Sequence, residues 1–184
     1  MRVLVTGATG FVGSHLLDLL LADSRVKEIH ATRRWSSRMT LLDHIADIDA
    51  RVRWHLCDLT DPFSVHDVVA ATLPERIFHL GGPSYVSPSW GAPEVYLRTN
   101  ALGTLYLLEA MRRLGLGETR VLLPGSGEEY GDVPEHELPI TPLTPLRPVN
   151  PYAVSKVAQD LLGYEHHRSY GLAVVRVRAF NHEG

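Results

Sequence analysis

The run Thr6-Gly7-Ala8-Thr9-Gly10-Phe11-Val12-Gly13 constrains this chain more than any other segment. It follows an apolar, β-branched stretch at residues 3–6 and opens a helical pattern over residues 11–22. Gly7 permits a tight turn, Gly10 lets backbone approach a ligand closely, and Gly13 lets a helix pack tightly on a strand. Amides left open at a helix start hold phosphate groups. Gly7, Thr9, Gly10, Phe11, Val12 and Gly13 are therefore the expected pyrophosphate cradle of a bound dinucleotide. The alternative is an ordinary glycine-rich turn, against which the strand before it and the helix after it both argue.

Alternation continues along the chain. Short apolar runs at 3–6, 28–32, 52–56, 76–80, 121–123 and 173–180 read as strands, and residues 11–22, 62–73, 95–114 and 151–170 carry helical spacing, with a further helix expected at 39–46. This predicts an α/β fold, a doubly wound parallel sheet with helices on both faces, forming one dinucleotide-binding domain over residues 1–184. The stretch 131–150 holds Pro134, Pro139, Pro142, Pro145 and Pro148, too many for a helix or a central strand, so it is expected to be a loop covering a site. The chain stops at Gly184, directly after a strand and where a connecting loop should begin. That ending predicts a chain cut short of a second, substrate-binding lobe.

Composition excludes several classes of partner. With 18 Lys and Arg against 21 Asp and Glu the formal charge is −3, and no basic block is present, so a nucleic-acid surface is not expected. The longest apolar stretch, 16–22, contains Asp18 and falls far short of the roughly 20 apolar residues that cross a bilayer. Met1 and Arg2 run straight into the first strand, without a secretory pattern. The single cysteine, Cys57, can form no internal disulfide, and a reducing cytoplasm is the expected setting. Ten histidines do not make a metal site: His166 and His167 are adjacent on a helix and point apart, and no zinc-ligand spacing occurs.

About 20 residues beyond the glycines, where ribose selectivity is set, the second strand ends in Ala31-Thr32-Arg33-Arg34-Trp35-Ser36-Ser37. Arginine accommodates a 2′-phosphate where Asp or Glu would hold free hydroxyls. Arg33, Arg34 and Ser36 thus favour NADP over NAD, the alternative being a solvated basic loop. Further on, Tyr152 and Lys156 lie four apart on one helical face, where an ammonium is expected to lower the phenol's pKa for acid/base work. Ser126 closes the fifth strand in Gly125-Ser126-Gly127-Glu128-Glu129-Tyr130-Gly131, placed to hydrogen-bond a reacting oxygen, and Glu128 is a candidate base for a C–H proton. The alternative makes both glutamates solvated loop residues, Glu129 more readily than Glu128. Leu102, Leu105, Leu108 and Met111 read as a core stripe of the 95–114 helix.

Taken together these motifs resemble the extended short-chain dehydrogenase/reductase family of nucleotide-sugar enzymes over essentially the whole chain. The resemblance is carried by the glycine turn, Asp58-Leu59-Thr60-Asp61, His79-Leu80-Gly81-Gly82-Pro83-Ser84-Tyr85-Val86, Asn100 before Gly103-Thr104, the 125–131 segment and Asn150-Pro151-Tyr152-Ala153-Val154-Ser155-Lys156. Within the family, Arg33-Arg34 and Phe180-Asn181-His182-Glu183 are similar to GDP-mannose 4,6-dehydratases. The Ser84 to Trp90 stretch, the 125–131 segment and Leu146-Arg147-Pro148 look equally like the reductases of that dehydratase's product. The resemblance implies a Rossmann-type fold in which Asp58 and Leu59 flank adenine, Leu80, Gly81, Gly82 and Ser84 line the cofactor path, and His182 touches the cofactor. Pro83 stands where the family usually has glutamine or a similar polar residue.

The same resemblance implies chemistry. In a dehydratase Tyr152 would take the proton of the sugar C4 hydroxyl, Ser126 would hold that oxygen, Lys156 would hold the phenolate and the nicotinamide ribose, and Glu128 would take the C5 proton as water leaves C6. Ser84, Ser126, Glu128 and Asn181 would contact a GDP-linked sugar. In a reductase, Tyr152 would instead donate a proton to a C4 ketone. Relatives pair through helices corresponding to 95–114 and 151–170, which implies a homodimer. A reading from another class is a module that binds NADP(H) without catalysis.

Overall fold

The computed structural model describes residues 1–37, 42–43 and 48–181. The helix expected at 39–46 falls, apart from residues 42 and 43, outside the described residues. Six strands, β1 (Arg2–Thr6), β2 (Glu28–Arg33), β3 (Arg53–Leu56), β4 (Arg76–His79), β5 (Arg120–Ser126) and β6 (Val174–Ala179), form one parallel sheet in the order β3-β2-β1-β4-β5-β6. The helices are α1 (Phe11–Ala22), α2 (Ile48–Arg51), α3 (Pro62–Thr72), α4 (Pro93–Tyr96), α5 (Gly103–Arg113) and α6 (Pro151–Tyr170). Strand order reverses between β1 and β4, and a crevice opens at the strands' carboxyl ends at such a switch point.

Alternation along β1 sends its side chains to two cores. Val3 and Val5 pack with Leu17, Ile29 and Ala31 on the α1 face, whereas Leu4 joins Ile77, Val121, Leu107 and Leu108 on the α3 and α5 face. Both α3 and α6 begin on side-chain caps: Asp61 accepts from Phe63 N–H, Asn150 accepts from Ala153 N–H, and each is followed by proline. α6 stops at Gly171, whose φ of 71° suits glycine alone. Among the described residues, no helix is long and apolar enough to cross a membrane.

Two elements differ from expectation. The 95–114 helix is broken into α4, a π-helical stretch at Leu97–Leu102, and α5. The stripe at three-residue intervals holds at Leu108 and Met111, which lie in the core, and fails at Leu102. Each such step drifts backwards round the helix, so Leu102 is 40% exposed while Thr104, Leu107, Leu108 and Met111, spaced three, four and seven apart, are buried. β5 also outruns the expected 121–123, continuing through Pro124 to Ser126. Its pairing with β4 ends at Leu122, while β6 pairs as far as Ser126, so Pro124 lacks its N–H on the side that needs none.

The 131–150 stretch is a loop with one short 3-10 turn, Glu135–Glu137. It folds back on the Ser126 segment, with Arg147 N–H donating to the Glu129 carbonyl at 3.0 Å.

Candidate active site

The turn between β1 and α1 has the shape its glycines suggest. Gly7 sits at φ 68°, and a Cβ there would lie 2.6 Å from Gly81 N. Gly10 N–H donates to Gly7 O at 3.0 Å, and a Cβ on Gly13 would collide with that same carbonyl. α1 begins at Gly10 without a side-chain cap and without an acid in its first turn, leaving its amides and positive dipole end open to an anion.

The turn opens into a cleft of about 800 Å³, within the usual size of cofactor sites. Gly7, Thr9 and Gly10 line it together with Arg33, Arg34, Ser36, Asp58 and Leu59, and so do Leu80, Gly81 and Gly82. Phe11, Val12, Gly13, Ser84, Tyr152 and Lys156 do not. Phe11 and Val12 lie 43% and 44% exposed on the first turn of α1, Gly13 is packed against the glycine turn, and Ser84 is exposed beyond Pro83. Asp58 is held by Thr60, whose N–H and hydroxyl donate to Oδ1 at 2.9 and 2.8 Å. That contact, with the charges of Arg34 and Arg98, keeps its carboxyl below the ordinary range. Uncapped amides, a cradle that a Cβ would fill and a basic rim together fit a phosphate-rich dinucleotide.

A second cluster forms at the end of β5. Ser126 Oγ accepts from Glu128 N–H at 3.2 Å, and Glu128 Oε2 accepts from Asn150 Nδ2 at 2.9 Å. Since Asn150 also caps α6, one side chain ties the candidate base to the helix carrying Tyr152 and Lys156. Tyr152 is 7% exposed and meets the Tyr96 ring edge-on at 6.1 Å. Lys156 is partly buried, and its ammonium donates to Gln159 Oε1 at 2.6 Å. Burial pushes it down to about 8, against the opposing pull of Glu129.

A family model described as GDP-mannose 4,6 dehydratase matches residues 4–184. The chain belongs to that family. It is 35% identical to GDP-mannose 4,6-dehydratase of Vibrio cholerae serotype O1, over 98% of this chain and 49% of that one. It is 36% identical to GDP-6-deoxy-D-mannose reductase of Pseudomonas aeruginosa, over 100% of this chain and 53% of that one. The solved dTDP-glucose 4,6-dehydratase DesIV of Streptomyces venezuelae, with NAD and TYD bound, superposes with a TM-score of 0.86 at 32% identity, over 97% of this chain and 55% of that one. The chain thus spans about half the length of the curated relatives it matches.

Several features of this GDP-mannose 4,6-dehydratase family member depart from the expectations. Tyr152's pKa is raised rather than lowered: burial disfavours the phenolate, and the charges of Glu129 and Glu128 add to it, against a hydrogen bond with Ser126. The Lys156 ammonium donates to Gln159 Oε1. Glu129 is no solvated loop residue but wholly buried, 0% exposed. Asn181 is exposed two residues beyond Ala179, the β6 residue that pairs with Ser126, and His182 lies outside the described residues. Sequence reasoning assigned no role to Gln159 or Asn150; the capping pattern Asn-Pro before α6 was the available sign for the second.

One buried relay links the cleft to α6. Thr104 Oγ1 spends its proton on Asn100 O at 2.7 Å, so it accepts from His79 Nε2 at 3.1 Å. His79 Nδ1 is then the acceptor for Thr6 Oγ1 at 2.9 Å, and Thr6 Oγ1 accepts from Gly81 N–H at 3.1 Å. Asn100 Nδ2 continues to Ser155 Oγ at 2.9 Å, and Ser155 donates to Tyr152 O at 2.6 Å. Burial, with the Lys156 charge, drives His79 down to about 3. The unfolded chain therefore takes up a proton near pH 6.5 that the folded chain refuses, and stability falls with pH below that point. We expect a loss of about 1.4 kcal/mol per pH unit from this group. Urea unfolding at pH 7 and pH 5 would show a steeper loss for the natural chain than for His79→Gln; equal slopes would contradict it.

Proposed function

We propose that this chain carries the cofactor-binding and catalytic half of a nucleotide-sugar dehydratase acting on GDP-mannose with NADP. The observation that carries the reading is the Asn150 tie, which holds Glu128 beside Ser126 and joins both to the helix of Tyr152 and Lys156, next to an open phosphate cradle. Bound NADP+ would supply the hydride acceptor and return that hydride. The residues handle protons. Tyr152 takes the proton of the C4 hydroxyl while Ser126 holds that oxygen, and Lys156 neutralises the phenolate once substrate and cofactor reorder the pocket. The resulting ketone acidifies the C5 proton, which Glu128 would remove and pass to the departing C6 hydroxyl so that it leaves as water; the proton taken up by Tyr152 balances the one C5 regains when the hydride returns to C6. Arg33, Arg34 and Ser36 on the cleft wall support NADP over NAD.

The likeness to the Pseudomonas aeruginosa reductase supports a second reading, in which NADPH is consumed and Tyr152 protonates a C4 ketone. Association as a homodimer through residues 95–114 and α6 has the support of Leu102, in the π-helical stretch, and of Val154, Leu161 and Tyr164 on α6, all exposed apolar residues. The unpaired, buried Cys57 suits a cytoplasmic setting.

Mass spectrometry of GDP-mannose incubated with the protein and a trace of NADP+ tests the proposal. Loss of one water per sugar without net cofactor reduction is expected; unchanged sugar would favour the reductase or a non-catalytic binder. Glu128→Gln is expected to slow water elimination about 100-fold or more. A change of only a few fold in that variant would transfer the assignment to the reductase, which needs no C–H base.

A further inference from the structure

Behind the Ser126 turn lies a group of buried charges that the proposed chemistry does not use. Glu129 Oε1 accepts Ser126 N–H at 2.7 Å and Oε2 accepts Arg178 Nε–H at 3.1 Å. Arg178 Nη2 donates to Asp160 Oδ2 at 2.8 Å, and its Nη1 to the Tyr130 hydroxyl and the Pro142 carbonyl, both at 3.2 Å. Arg176 Nη1 meets the same Asp160 oxygen at 2.6 Å. Two carboxylates and two guanidiniums balance here, with Glu129 and Asp160 almost without solvent contact.

Position gives the cluster its reach. Glu129 follows β5, Arg178 lies on β6, and Asp160 stands one turn beyond Lys156 on α6. Gly125 leaves room for the carboxylate, since a Cβ there would collide with Glu129 Oε1. Both Glu129 oxygens act as acceptors, which is the bonding of an ionised carboxylate.

We propose that Glu129 is a positioning residue: paired with Arg178 and Asp160, it locks the Ser126–Glu128 turn onto the helix of Tyr152 and Lys156 and is a fixed negative charge of that pocket. The inference rests on the reading of Tyr152 as the acid/base group. Ser126, Glu128, Glu129 and Tyr96 face Tyr152; Asp160, Arg178 and Ser126 face Glu129; and His79 and Glu129 face Lys156. Removing the Glu129 charge should ease ionisation of the phenol, whereas a residue that only packs would leave it alone.

The test uses carbon-13 ring-labelled tyrosine and nuclear magnetic resonance, with the Tyr152 signal among the seven tyrosines identified by its loss in Tyr152→Phe. In Glu129→Gln, which keeps an acceptor for Ser126 N–H, the Tyr152 titration midpoint is expected to fall by about one pH unit. Glu129→Asp should restore it. In Glu129→Ala, hydrogen exchange at the Ser126 amide should quicken about tenfold or more while the paired Val121 amide keeps its rate. An unmoved midpoint in Glu129→Gln, or unchanged Ser126 exchange in Glu129→Ala, overturns the proposal. Should these variants not fold, Arg178→Lys, which removes the fork between Glu129 and Asp160, must quicken Ser126 exchange, and failure to do so overturns it equally. Neither readout needs substrate, so a fault in the functional reading, seen as full turnover by Tyr152→Phe, is separately visible.

Discussion

Tyr152→Phe is expected to lower turnover about 1,000-fold while leaving dinucleotide affinity within about twofold. The substitution deletes one hydroxyl and keeps the ring that packs edge-on against Tyr96, so the helix should hold its place. In the proposed reaction the lost atom is the one that would exchange a proton with the sugar C4 oxygen, and no neighbour is expected to replace it: Ser126 lacks the acidity, and the Lys156 ammonium donates to Gln159. The cradle that binds phosphate lies on a different element, the turn between β1 and α1. Steady-state rates together with a fluorescence titration of NADPH would decide the matter. A variant with full activity would refute the assignment, whereas lost turnover accompanied by lost binding would mean that the helix had moved.

Gly7→Ala should act on the other half of the site and on the fold itself. At φ 68° a side chain meets the left-handed penalty, about 1–2 kcal/mol. Its Cβ would also lie 2.6 Å from Gly81 N and 2.7 Å from both Gly81 Cα and Leu80 C, backbone atoms that no rotamer change can clear. A total near 3 kcal/mol or more follows, lowering Tm by about 6–12 °C in a domain of this size. Dinucleotide binding should weaken about 100-fold or more, because the turn must open to admit the methyl group and its amides then point elsewhere. Gly115→Ala is the matched comparison: it has φ 69° with nothing within 4 Å, so it carries the conformational penalty alone. Calorimetry on both variants separates clash from φ, and equal losses would show that the close approach of Gly7 to Gly81 is unimportant.

Much of the frame was legible because its signals are local. α1 and α6 span the residues their patterns indicate, since an N-terminal glycine or Asn-Pro cap and a terminal Gly171 act within a turn of the residues they affect. The cleft lining was likewise readable at Gly7, Gly10, Arg33 and Arg34 from residue type and position, and at Asp58 from the family resemblance. Glu129 was not, because nothing within the segment 125–131 reveals that Arg178 waits on the next strand. The direction of Tyr152's shift was missed for the same reason: helical spacing puts Lys156 on its face, but Gln159 takes the ammonium and burial governs the phenol.

By itself the sequence determined the strand and helix alternation, the phosphate turn and the identity of the four candidate catalytic side chains, because periodicity, glycine stereochemistry and side-chain chemistry are properties of neighbouring residues. Tertiary structure alone decided that Leu97–Leu102 forms a π-helical stretch, which carboxylate is buried and which group each charge meets. Those outcomes depend on pairing between β5 and β6, on the fit of α6 over the sheet and on desolvation, and all three are set by residues far apart in the chain that only the completed fold brings together.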